Sequence, residues 1–136
     1  MLDRWDVTFR SLASVGGAAA LYLFGGWSAL LGVLLAFVVI DYISGVLASW
    51  TEGGLSSSIG LIGIAKKVFI FAMVAVAHLV DTALGELHLF RDATVFFYLA
   101  NELLSIVENS GRIGLPVPEP IRQAVDILKS RAGVGK

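Results

Sequence analysis

The chain has 136 residues, of which 57 % are hydrophobic and 15 % charged, with a net charge of -1 and no cysteine. Soluble domains carry about 25 % charged residues, and a chain this short has little interior in which to hide apolar surface, so the missing polar surface faces lipid. The absence of cysteine excludes disulfides, thiol redox chemistry and Cys-type zinc sites, and no basic patch interleaved with aromatics points to nucleic acid.

Met1–Arg10 balances two acids against two arginines, which is not the positive start of a cleaved leader, so the N-terminus is expected to stay. Leu2, Trp5, Phe9 and Leu12 recur at helical spacing and suit an amphipathic start lying on the inner membrane surface. The first apolar segment runs over about residues 9–24 and is interrupted by Gly25-Gly26. The second, 27–49, is the strongest: it exceeds the roughly 20 residues that cross a hydrocarbon core, and Trp27 and Trp50 flank it as interfacial anchors. The third, 68–84, follows Lys66 and Lys67, which are read as topology-setting loop residues. The fourth, 93–107, is apolar except for Thr94, Asn101, Glu102 and Ser105, and suits a span or a surface helix.

The basic residues discriminate between these readings. With four spans and an inside N-terminus, Arg4, Arg10, Lys66, Lys67, Arg112, Arg122, Lys129, Arg131 and Lys136 share the cytoplasmic side, and only Arg91 is outside. The positive-inside rule favours this even count, with three spans as the alternative. The fold class expected is an all-α integral membrane protein, with a transmembrane domain over residues 1–110 and a cytoplasmic tail over 111–136. In the tail, Pro120 suits the first turn of a short helix whose Ile121, Ala124, Val125 and Leu128 share a face, and residues 133–136 are expected to fray.

Few residues carry chemistry. Asp41 interrupts the second span, where a carboxylate costs about 2.5–3.5 kcal/mol on insertion scales. It must face protein or water, be protonated, or have a partner. Ser44, Gly45 and Ala48 share its face, a small polar stripe that allows close helix approach. Asp41 therefore either pins helix packing or serves a pore or an assembly. His78 and Asp81 are i, i+3 neighbours in the third segment; a capping carboxylate and a packed histidine are the plainer readings, and no multi-His spacing supports a metal. In the fourth segment Thr94, Tyr98, Asn101, Ser105 and Glu108 form a stripe, with Glu102 beside it. At about 1.5 Å per residue, Glu102 and Asp41 reach similar depths if both helices run outside to inside. They are candidates to line an aqueous path, and a ring of such acids in a homo-oligomer attracts cations. Phe69, Phe71 and Val74 are expected to face lipid. Small-xxx-small pairs such as Ala13 with Gly17 and Gly32 with Ala36 favour tight helix contact. No phosphate loop or nucleophile motif is present, so neither an enzyme nor a cofactor is expected.

The run from Leu55 through Gly60 and Gly63 to Lys66-Lys67, the helix ending His78-Leu-Val-Asp81, the block Asp41-Tyr-Ile-Ser-Gly45 and the stretch Phe97–Asn109 followed by Gly114-Leu-Pro116 together resemble the phage-lysis and toxin-secretion holins, over about residues 27–130. That resemblance implies a protein of the bacterial inner membrane that oligomerises into holes, through which an endolysin or a toxin leaves without direct contact being implied. Members are often described with three spans, against the four that the charges favour here. A small ion or solute channel, a transporter subunit and a membrane adaptor are the competing readings.

Overall fold

The structure, a computed structural model, describes residues 1, 3–85 and 87–131, so the expectations for Leu2, Lys136 and the end at 133–136 lie outside the described residues. Five helices follow one another: α1 (Arg4–Phe24), α2 (Ala29–Thr51), α3 (Ser57–Leu84), α4 (Leu89–Ile113) and α5 (Glu119–Arg131). The described residues contain no strand.

Local chemistry sets the boundaries. α1 ends because Gly25 and Gly26 take positive φ (72° and 99°). Gly25 N–H then donates to the Leu21 carbonyl and Gly26 N–H to that of Ala20, which satisfies carbonyls left open at a helix end. Ser28 caps α2 by accepting from Leu31 N at 3.2 Å, and Ser56 caps α3 by accepting from Ile59 N at 3.3 Å.

The Ser56 cap corrects the expectation for the third segment. Ile59 and Ile62 continue the helix from Ser57, so Lys66 and Lys67 stand within α3 instead of in the loop before it. α4 likewise outruns the expected 93–107 at both ends. Pro120 falls in the first turn of α5, as its fixed φ suits.

α2 and α4 run side by side in the same direction. At one end Arg91 Nη1 donates to the Phe24 carbonyl just before α2 (2.8 Å), and at the other Arg112 forms a two-pronged pair with Glu52 at 3.0 and 2.8 Å. α3 runs in the opposite direction and packs mainly against α4. It touches α2 through Tyr42, whose hydroxyl donates to the Gly60 carbonyl at 3.4 Å. α5 folds onto α4 through Val125, which is buried, and through Lys129 Nζ, 2.9 Å from Glu108 Oε1.

The packed core is Leu31, Leu34 and Val38 of α2, Ile70 and Val74 of α3 and Val95 of α4, closed off by Phe24, Leu30, Phe71, Tyr98 and Leu99. In lipid such a cluster gains no transfer free energy, and close van der Waals fit holds it together. The lipid-facing expectation for α3 is corrected in part: Phe69 is exposed, but Val74 is fully buried. Phe71 packs edge-on against Phe24 and stacks on Trp27. The buried face of α3 is Ile70, Val74, Ala77, His78 and Asp81, an i, i+4, i+7, i+8, i+11 stripe.

Three helices, α1, α2 and α3, are long and apolar enough to cross a membrane. α4, at 25 residues, is long enough for a hydrocarbon core; its Arg91, Asp92, Glu102, Glu108 and Arg112 keep it out of that group by composition. Every residue of α1 from Arg4 to Ala19 is exposed, and the helix meets the bundle at its C-terminal end.

Candidate functional site: a charge cluster between three helices

Asp41 lies ten residues before the end of α2, Lys67 ten after the start of α3 and Glu102 eleven before the end of α4. At 1.5 Å per residue each is about 15 Å from that end, near mid-helix. The three side chains meet: Lys67 Nζ pairs with Asp41 Oδ2 and, at 2.7 Å, with Glu102 Oε2. The two carboxylate side chains are 6 % exposed and the lysine 19 %. Desolvating such groups costs several kcal/mol each, and mutual pairing is what makes the position tolerable for all three.

Asn109 completes the cluster from α4. Its amide nitrogen donates to the Asp41 carbonyl at 3.2 Å, to Asp41 Oδ1 at 2.9 Å and to Ser44 Oγ at 3.0 Å. Ser44 in turn donates to the Asp41 carbonyl. Gly45 lies against this contact: a Cβ there would stand 3.4 Å from Asn109 Nδ2, at van der Waals distance. Two clefts flank the cluster. One of about 390 Å3 includes Asp41, Gly45, Ser49, Lys67, Ser105 and Asn109 in its lining. The other, of about 570 Å3, includes Lys66, Lys67, Tyr98, Asn101 and Glu102.

Of the residues singled out in the sequence, Asp41, Ser44, Gly45, Glu102 and Ser105 gather at this cluster. Tyr98 packs against the apolar core, and Asn101 is exposed at the cleft between α3 and α4. Glu108 departs from the group: it is exposed and pairs with Lys129 of the tail. α4 turns a different stripe inward from the one expected, namely Arg91, Val95, Glu102 and Asn109, spaced 4, 7 and 7.

Asp81 is a cap. Its carboxylate accepts from Phe90 N at 2.9 Å and Arg91 N at 2.8 Å, two first-turn amides of α4, a favourable place for negative charge. His78 is buried and stacks on His88, with ring centroids 5.8 Å apart. Among the described residues no three His, Cys, Asp or Glu side chains are grouped to hold a metal ion.

Lys67 and Asn109 are the members that the sequence reading misplaced or missed. Asn109 lies seven residues beyond Glu102 on the same helical stripe, and Ser56 before Ile59 marked the true start of α3. Both signals were present in the residues.

The fold and cluster define a helical membrane protein that carries a buried, paired charge group near the middle of three helices. The chain belongs to the bacteriophage holin family, whose model matches residues 18–130; that is not a family of enzymes. It is 51 % identical over 122 residues to an uncharacterised protein of Halalkalibacterium halodurans, covering 86 % of this chain and 90 % of that one. A protein of Bacillus phage phi105 named "Probable holin" is 37 % identical over 112 residues, with 82 % of each chain covered. An uncharacterised 14.9 kDa protein of Clostridium perfringens is 37 % identical over 116 residues, covering 85 % and 88 %. No solved structure matches the chain. The matched region begins within α1, so most of that helix lies outside it.

Proposed function

We propose that this protein forms holes in the bacterial cytoplasmic membrane, through which an endolysin or a toxin leaves the cell. The observation that carries this reading is the Asp41–Lys67–Glu102 cluster, buried in one chain yet made of groups that line a water-filled lumen well once helices exchange partners. A hole-forming protein must insert without leaking and later present a hydrophilic wall. Charges paired near mid-helix meet both needs: within one bundle Lys67 offsets the two acids it touches, and in an assembly the three groups face water.

Four spans with both ends cytoplasmic accompany this proposal. α4 packs along α2, is tied to the residues just before and just after it, and shares its direction, so where α2 crosses, α4 has its partner along the crossing. Arg4, Arg10, Arg112 and the tail residues Arg122, Lys129 and Arg131 then share the inner side, and Arg91 is left outside. This distribution satisfies the positive-inside rule without Lys66 or Lys67. Insertion into the membrane, self-association of copies and loss of the barrier are the three steps of the activity.

Inducible expression in a bacterial host tests the reading. The wild-type chain is expected to give sudden dye uptake after a delay, and lysis when an endolysin is co-expressed. Glu102→Leu removes one wall carboxylate and leaves the Asp41–Lys67 pair, so it is expected to insert normally but to delay or abolish the onset. Unchanged timing in Glu102→Leu overturns the role of the cluster. A graded, ion-selective conductance without dye entry from the wild type overturns the hole reading.

A further inference from the structure

At the opposite end of the bundle from the Glu52–Arg112 pair, four observations meet on one spot. His78 of α3 and His88 before α4 stack with their rings 14° from parallel. The Nδ1 atoms of both are buried and make no hydrogen bond. His88 holds a positive φ of 52°, which L side chains rarely adopt and which persists only where surrounding structure enforces it. Gly25, at the α1–α2 turn, lies against both rings: a Cβ there would stand 2.7 Å from His78 Cε1 and 3.1 Å from His88 Cε1. The turn is held by Arg91 Nη1 on the Phe24 carbonyl, by the packing of Phe24 against Trp27 and Phe71, and by this contact with the imidazoles.

The geometry points to a pH-sensitive clasp: the stacked His78–His88 pair holds the α1–α2 turn on the bundle when both rings are neutral, and releases α1 when both carry a proton. Histidine is the side chain whose ordinary charge change falls between about pH 5 and 8. Two imidazoliums face to face repel, and each loses the stacking that a neutral ring provides.

Charged and polar groups approach the pair from the elements packed around it. From α3, Asp81 faces it, and its carboxylate already accepts the Phe90 and Arg91 amides. Thr82 Oγ1 lies 3.5 Å from His78 Nε2. From α4, Arg91 brings a positive charge beside Gly25, and Asp92 is taken up by Arg91 Nε at 3.0 Å. From α1, Tyr22 lines the adjoining cleft.

The absence of native cysteine allows site-specific labels. Spin labels at Ala13→Cys on α1 and Ala83→Cys on α3, in the full-length chain in lipid nanodiscs, read the clasp. A second pair at Leu47→Cys and Gly111→Cys reads the α2–α4 contact as a control. The expected result is one narrow α1–α3 distance at pH 8 that broadens and shifts at pH 5, with the control pair unmoved. In His78→Gln/His88→Gln the α1–α3 distance is expected to be the same at both pH values. The single substitutions serve the same purpose if the double variant fails to insert. An α1–α3 distance in the wild type that ignores pH overturns the clasp. So does a pH response that survives the substitutions, or one that the control pair shares.

Discussion

Asn109 uses one amide nitrogen to hold both the main-chain carbonyl and the carboxylate of Asp41, 68 residues earlier in the chain. The pairing joins α2 to α4 at the level of the charge cluster. Asn109→Ala leaves Asp41 Oδ1 short of a donor at a buried position, and an unmet buried polar group costs about 1–3 kcal/mol. The variant is expected to melt earlier by circular dichroism in detergent micelles; a melting curve unchanged from the wild type refutes the pairing.

Lys67 balances two carboxylates, so it is the least replaceable member. Lys67→Met leaves Asp41 and Glu102 facing each other without a cation, and breaking a buried pair by removing one partner costs about 3–5 kcal/mol. The neutral triple variant Asp41→Asn/Lys67→Met/Glu102→Gln removes the imbalance. It is expected to recover most of the loss while failing to form holes. Chemical denaturation of both variants ranks them, and a triple variant no more stable than Lys67→Met contradicts the cluster.

Asp81 acts where α4 begins. Asp81→Ala deprives two first-turn amides of their acceptor, and loss of a helix cap costs about 0.5–2 kcal/mol. The expected signature is local: faster amide hydrogen exchange over Leu89–Asp92, with the α2–α4 contact near Asn109 still protected. Uniform loss of protection throughout the bundle would show that Asp81 does more than cap.

Just beyond the end of α2, Glu52 accepts two hydrogen bonds from Arg112, which hold its carboxyl below the ordinary value. Because the folded value is depressed, the pair stabilises the bundle above the ordinary carboxylate range. That contribution disappears as pH falls through the depressed value. Glu52→Gln is expected to melt slightly below the wild type at neutral pH and together with it in acid. A difference that persists in acid assigns the effect to something other than ionisation.

The helical membrane class was legible because hydrophobicity and length speak locally, and Asp41 and Glu102 drew notice because acids are costly in apolar runs. Lys67 was harder to read. A lysine beside an apolar stretch looks like a loop anchor, and only the partners on α2 and α4 explain how α3 carries it inside. The polar stripe of α4 and its buried line lie one position apart because polar residues occupy both Asn101 and Glu102, and periodicity alone does not choose between neighbours. His78 and Asp81 were noticed, but the stack and the cap depend on His88 and the amides of Phe90 and Arg91, which a turn brings back to α3.

The three charges of the cluster come from three successive helices, with 26 residues between Asp41 and Lys67 and 35 between Lys67 and Glu102. At a synthesis rate of about 5–20 residues per second, each charge leaves the ribosome on the order of seconds before the next. Asp41 therefore emerges before its cation exists, and for a further interval Lys67 has only one of its two acids. Biogenesis has an order built into it: α2 gains its counter-charge only with α3, and the group is complete only when α4 has been made. A ribosome stalled between Lys67 and Glu102 would leave a two-membered group whose charges already balance.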